Sequence, residues 1–207
     1  DILLEPYGGK ILGMSVAATT ALTAMLATGG AIGLYIAARR LTRGADAHRV
    51  AGSGAVAGLF AFAAVILAAP LESAPIFATG VTLIGFGGGL FAHGTLTAMM
   101  GLARAEDRGL ALGAWGATQA TAAGLGIAVS GIVYDLGAQI ALSGELGEAL
   151  TGAATGYGLV YLIECLFLVA TLVAIGPLVR NSRPASRGAD PVDLLTPSTG
   201  SNMGAMR

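Results

Sequence analysis

Only a handful of side chains in this sequence of 207 residues can do chemistry where their neighbours put them. His93, with Thr95 and Thr97 close by, lies about seven residues, roughly 10 Å of helical rise, before the end of a long apolar run. An imidazole there can ligate a metal or donate a hydrogen bond to a neighbouring helix. Glu164 is roughly 12 Å inside another apolar run by the same rise. At that depth a carboxyl can carry a proton, pair with a cation or, when protonated, bond a facing helix, and no basic residue lies at a matching depth. Glu5 precedes Pro6-Tyr7, where a helix break would free backbone carbonyls, so it can cap a neighbouring helix or meet a ligand. Trp115 and Gln119 are four apart and share a helix face; the first reads as an interfacial anchor, the second as a partner for another helix or a ligand carbonyl. Asp107-Arg108 reads as a helix-start acid beside a loop arginine, or as part of a gating ion pair. There is no nucleophile elbow, HExxH, phosphate-cradling Walker loop or paired-cysteine motif, so no enzyme chemistry is expected.

The elements that must hold these groups follow from composition. The chain is 55% hydrophobic and 11% charged, with 33 glycines, a net charge of −1 and mean hydropathy +0.76. A soluble domain carries about a quarter of its residues as Asp, Glu, Lys and Arg, so too little charge is present to cover a solvated surface. The single cysteine, Cys165, excludes a disulfide scaffold. With 11 basic against 12 acidic residues, no positive field exists to attract nucleic acid. Five apolar stretches, approximately Met14 to Ala38, Val50 to Ala69, Ile76 to Met100, Gly109 to Val133 and Gly156 to Val179, are each long enough to cross a bilayer. Runs such as Ala61-Phe62-Ala63-Ala64-Val65-Ile66-Leu67 do not alternate, which rules out a barrel. The expected fold is an all-α polytopic membrane helix bundle. Its opening, Asp1 to Gly9, reads as the last turns of an earlier helix, broken by Pro6 and closed by Gly8-Gly9, and hence as the start of a fragment.

Orientation comes from the arginines, because short cytoplasmic loops hold Lys and Arg in excess. Arg39, Arg40, Arg43 and Arg49 lie between the first two spans, Arg104 and Arg108 between the third and fourth, and Arg180, Arg183, Arg187 and Arg207 after the fifth. The opposite side holds Lys10 with Glu72, Asp135, Glu145 and Glu148, so ten of the 11 basic residues share the side expected to be cytoplasmic. Residues 181–207 are rich in Pro, Ser, Gly, Asp and Arg and suit a disordered cytoplasmic tail.

Small residues at a spacing of four, Gly54 and Gly58, Gly85 and Gly89, Gly109 and Gly113, and Gly152 and Gly156, stack on one helix face and let backbones approach. They predict tight packing between helices. A second reading makes Gly85-Phe86-Gly87-Gly88-Gly89 and Gly124-Leu125-Gly126 bending sites or clefts for a bulky ligand.

Three segments carry a resemblance: Asp1-Ile2-Leu3-Leu4-Glu5-Pro6-Tyr7-Gly8-Gly9, then Phe86-Gly87-Gly88-Gly89-Leu90-Phe91 with Gly94-Thr95-Leu96-Thr97-Ala98, then Gly109-Leu110-Ala111-Leu112-Gly113-Ala114-Trp115-Gly116-Ala117-Thr118-Gln119-Ala120. In this order they resemble the PucC or bacteriochlorophyll delivery family, a branch of the major facilitator superfamily found in phototrophic bacteria. The resemblance covers about residues 1–180. It implies the C-terminal half of a major facilitator fold, comprising the end of a seventh helix and helices eight to twelve. It further implies an assembly factor of the bacterial inner (intracytoplasmic) membrane that inserts transiently bound bacteriochlorophyll into light-harvesting antenna polypeptides as these leave the membrane-insertion and pigment-synthesis machinery. On that reading Glu5, Tyr7, His93 and Gln119 are the candidate pigment contacts, with His93 an axial ligand of the chlorin magnesium. Two other readings stand beside it: a superfamily transporter whose solute, given the few polar residues at midplane, would be apolar or lipid-like, and a structural subunit that only packs against antenna helices.

Overall fold

A computed structural model describes residues 3–143 and 154–181. All the regular structure there is helical. A short helix α1 (Leu4–Lys10) is followed by α2 (Val16–Thr42), α3 (Ala47–Ala68), α4 (Ala74–Leu102), a 3-10 turn at Ala105–Asp107, α5 (Arg108–Ser143) and α6 (Ala154–Asn181). The five helices α2 to α6 are long and apolar enough to cross a membrane, and the protein is a polytopic membrane helix bundle. The tail beyond Asn181, and Gly152 of the fourth glycine pair, lie outside the described residues.

The helices start at polar caps rather than where hydropathy rises. The Ser15 hydroxyl accepts the Ala18 N–H at 3.2 Å and the Asp46 carboxylate accepts that of Arg49 at 2.8 Å. Ser73 does the same for Ile76, with Pro75 in the first turn where its missing N–H costs nothing. Consequently α3 begins three residues ahead of the expected Val50. Gly44 closes α2 at φ +84, a conformation that favours glycine, and its N–H donates to the Leu41 carbonyl at 3.0 Å.

Two expectations need correction. Pro6 does not break the first helix: it lies in the first turn of α1, whose N–H groups have no helical acceptor in any case, and the helix runs on through Gly8 and Gly9 to Lys10. Likewise Asp135 is not in a loop. It lies within α5, whose 36 residues extend about 54 Å, well past the expected end at Val133.

The centre of the bundle is α4, and glycine places it there. Along one face Gly80, Gly87 and Gly94 recur every seven residues. A Cβ on them would meet the Val65 side chain at 2.8 Å, the Gly54 carbonyl at 2.7 Å and the Ala51 nitrogen at 2.7 Å respectively. The partner numbers fall as the α4 numbers rise, so α3 and α4 are antiparallel. On its other side Gly85 abuts Leu26 and Gly30, and Gly89 abuts Gly30 and Gly33; here the numbers rise together, so α2 and α4 are parallel. The pairs Gly54/Gly58 and Gly85/Gly89 therefore work as helix-packing surfaces, whereas a Cβ on Gly109 or Gly113 meets nothing. α6 runs antiparallel to α3, with Gly58 against Leu168 and Phe62 against Tyr161. α5 packs on α6 where Gly137 meets Gly156 and Leu159.

These directions bring the C-terminal ends of α2 and α4 and the N-terminal ends of α3 and α5 to one pole. Arg39, Arg40, Arg43, Arg49, Arg104 and Arg108 gather there. Lys10 and Glu72 mark the other pole, beneath which Tyr7, Phe77, Tyr157 and Tyr161 form a buried aromatic core.

Candidate functional site

Among the described residues, hollows open between the helices, and two of them are large enough to matter here. The larger, about 390 Å³, lies between α5 and α6 and is walled by Ala122, Leu125, Gly126, Val129, Ser130 and Val133 from the first and by Val160, Ile163, Glu164 and Phe167 from the second. Spacings of four and three along each helix, 122, 126, 129 and 133 against 160, 164 and 167, put these side chains on facing stripes. Its only polar side chains are Ser130, whose hydroxyl is spent on the Ile127 carbonyl at 3.0 Å, and Glu164. The second hollow, about 320 Å³, lies between α3, α4 and α6 and is lined by Gly54, Gly58, Gly87 and Gly88 together with Phe62, Phe91 and Leu168. Both fall in the range of about 300–1,000 Å³ typical of small-molecule pockets, and both walls are nearly all apolar.

The four residues proposed as contacts do not converge. Tyr7 is a core residue, 2% exposed; its ring lies 5.1 Å from Phe77, 5.3 Å from Tyr157 and 5.7 Å from Tyr161, and its hydroxyl donates to the Val65 carbonyl at 3.1 Å. It offers no surface to a ligand. Glu5 accepts a hydrogen bond from the Thr23 hydroxyl at 2.5 Å, which ties α1 to α2 side chain to side chain and caps no helix end. His93 is half-buried on α4 and lines neither hollow. Of the glycines near it in α4, Gly87 and Gly94 are packed against α3 and Gly89 against α2, and only Gly88 faces open space. Among the described residues no three His, Cys, Asp or Glu side chains gather as a metal site. Gln119 is exposed on α5.

Two neighbouring polar groups have partners of their own. The Trp115 indole N–H donates to the Thr95 hydroxyl at 3.2 Å, so Trp115 latches α5 to α4. Asp107, at the start of α5, pairs with Arg104 at 3.1 Å, an exposed contact of small energetic weight. The site residues that sequence reasoning did not assemble are those of the α5–α6 hollow. Glu164 and the Gly124-Leu125-Gly126 segment were each visible, and the stripe spacing was present, but nothing in the chain said which stripes face each other.

Comparison with known proteins fits this architecture. The family model described as PUCC protein matches residues 1–183. The chain is 48% identical over 188 residues to Protein PucC of Cereibacter sphaeroides, covering 90% of this chain and 40% of that protein. It is 56% identical over 135 residues to Protein PucC of Rhodovulum sulfidophilum, covering 65% of this chain and 30% of that protein. A third relative, at 33% identity over 196 residues, is the Bacteriochlorophyll synthase 44.5 kDa chain of Rhodobacter capsulatus, with 91% of this chain and 42% of that protein covered. The chain thus spans less than half the length of these curated relatives. No solved structure matches it. A five-span helical bundle whose sequence follows the family model from residue 1 to residue 183 belongs to the PucC family.

Proposed function

We propose that the chain is part of a membrane assembly factor that holds bacteriochlorophyll and passes it to light-harvesting antenna polypeptides in a phototrophic bacterium. The observation that carries this reading is the family match across residues 1–183, and a relative named as a chain of bacteriochlorophyll synthase supports the pigment. The protein works by binding and release, in contact with the pigment-synthesis and membrane-insertion machinery, and makes no covalent bond. Deleting the full-length protein from its host is expected to lower antenna absorbance several-fold while antenna transcripts persist. Normal antenna assembly in that strain would exclude the reading. Solute flux in proteoliposomes without any antenna defect would favour an apolar-solute transporter instead.

The same reading places the protein in the intracytoplasmic membrane with its arginine-rich pole in the cytoplasm. Single cysteines introduced in the Arg43 to Asp46 loop or the Ala103 to Asp107 turn, in a Cys165→Ser background, are expected to resist an impermeant thiol reagent in intact cells. A cysteine at Glu72 should react. Ready labelling of both arginine-side positions would reverse the orientation.

A further inference from the structure

The arginine-rich pole carries more positive charge than the described residues balance. Arg39, Arg40, Arg43, Arg49, Arg104 and Arg108 meet three carboxylates there, and all three are engaged. Glu106 and Asp107 lie on Arg104 at 3.9 and 3.1 Å, and Asp46 accepts the Arg49 N–H as the cap of α3. Positive charge at a loop orients a membrane protein, and it complements the C-terminal end of α2. Neither role requires the charges to share a face with anything else, yet Arg39 and Arg43 do. On α2, Met25, Thr28, Ile32, Tyr35, Arg39 and Arg43 follow one another at spacings of three and four, which aligns them along one stripe, and all six are exposed. Gly29 and Gly33, which pack on α4, lie on another face.

From the membrane outward the stripe changes character in order. Met25 and Ile32 are apolar, and the Thr28 hydroxyl between them donates to the Ala24 carbonyl at 2.7 Å, so it adds no unmet polar group. The Tyr35 ring, 60% exposed, comes next. Above it the Arg39 guanidinium lies 5.7 Å from the ring centre and donates to the Tyr35 hydroxyl at 3.4 Å. One N–H of the guanidinium fork is thereby committed and the others remain to meet a ligand, with Arg43 one turn beyond. From Arg39 down to Met25 the face runs about 21 Å, more than the roughly 15 Å depth of one leaflet. A ligand that matches this order has a phosphate, which guanidinium groups grip bidentately, joined to an apolar chain.

We propose that this face of α2 binds an anionic phospholipid: Arg39 and Arg43 hold its headgroup phosphate, Tyr35 positions Arg39, and Ile32 and Met25 carry an acyl chain. The site is independent of the pigment reading. A soluble phosphate would use the two arginines and leave the rest of the stripe idle. A zwitterionic lipid would bring a cation to a pole that already has an excess of them, so the charge favours a net anionic headgroup.

The test is the melting temperature of the delipidated full-length protein in an uncharged detergent as phosphatidylglycerol is added, since a ligand of the folded state raises it with concentration. A saturable rise of several degrees is expected, and phosphatidylcholine or inorganic phosphate at the same concentrations should give little. Arg39→Gln combined with Arg43→Gln is expected to weaken the apparent affinity for phosphatidylglycerol about tenfold or more. Arg39→Lys combined with Arg43→Lys keeps the charge, and with it the membrane orientation, but loses the fork; its affinity should fall between. Arg104→Gln removes a charge from the same pole but off the stripe and should leave the affinity unchanged. Should the glutamine pair not be recovered folded, the lysine pair alone decides. The proposal is overturned by a flat response to phosphatidylglycerol, or by an equal response to phosphatidylcholine or inorganic phosphate. A lysine pair that binds as tightly as the parent overturns it too, leaving only diffuse surface charge. So does a glutamine pair whose melting temperature drops by the same amount with and without lipid, because the two arginines would then pair with acids of the full-length protein.

Discussion

Gly85→Ala is expected to lower the melting temperature of the detergent-solubilised protein sharply, although it adds one methyl group. A Cβ at Gly85 would run into the Leu26 carbonyl oxygen and come within 3.0 Å of the Gly30 nitrogen, both backbone atoms that cannot rotate away. Alanine gains about 1 kcal/mol over glycine in helix propensity, but forcing extra volume into a packed seam costs about 1–3 kcal/mol. Here relief requires moving α2 bodily away from α4. That movement would also strip the contacts of Gly29, Gly33 and Gly89 along the same seam, so the cost wins. Two controls separate the steric effect from propensity. Gly88 on α4 has nothing within 4 Å of a Cβ, and Gly30 on α2 meets only the Gly85 carbonyl at 3.7 Å. Gly88→Ala and Gly30→Ala should therefore be neutral or stabilising by up to about 1 kcal/mol. A Gly85→Ala melting temperature equal to that of Gly88→Ala would mean that α2 and α4 do not pack through this face.

The contrast between neighbouring glycines also explains what the chain discloses about itself and what it conceals. Helix number and polarity are legible because an apolar run of bilayer length has few alternatives. Helix ends are not legible from hydropathy, since Asp46 and Ser73 lie outside the apolar stretches and Ser15 one residue inside the first, yet these three set the starts of α3, α4 and α2 by capping. Pro6 misleads for a related reason: whether proline breaks a helix depends on its distance from the N-terminus, and in α1 it falls within the first turn. Packing faces are harder still. A span surrounded by lipid is apolar all round, so only small residues mark where another helix lies. Gly54, Gly58, Gly85 and Gly89 marked it correctly, while Gly109 and Gly113 have the same spacing and face nothing. The α5–α6 hollow fell into that gap. Glu164 stood out as a carboxyl at depth, but its relation to Gly126 and Val129 exists only once α6 has docked on α5.

Tyr7 tests the same division between a residue that holds the fold and one that holds a ligand. Its ring packs against Phe77 of α4 and against Tyr157 and Tyr161 of α6, and its hydroxyl reaches the Val65 carbonyl in the last turn of α3, where helical N–H partners run out. One side chain of α1 thus joins three of the spanning helices. Removing it in Tyr7→Ala leaves a cavity bounded by three aromatic rings, which do not collapse readily, and a loss of about 3–5 kcal/mol is expected, enough to abolish recovery of folded protein from detergent. Tyr7→Phe keeps the ring and its edge-on contacts and gives up only the hydrogen bond, a loss of about 0.5–1.5 kcal/mol. Because the ring is enclosed, Tyr7→Phe should leave the pigment-to-protein ratio of the surviving folded molecules unchanged. If Tyr7 met a ligand instead, the pattern would invert: Tyr7→Phe would reduce bound pigment at constant melting temperature, and Tyr7→Ala would fold normally, since a residue facing an open site supports no neighbour.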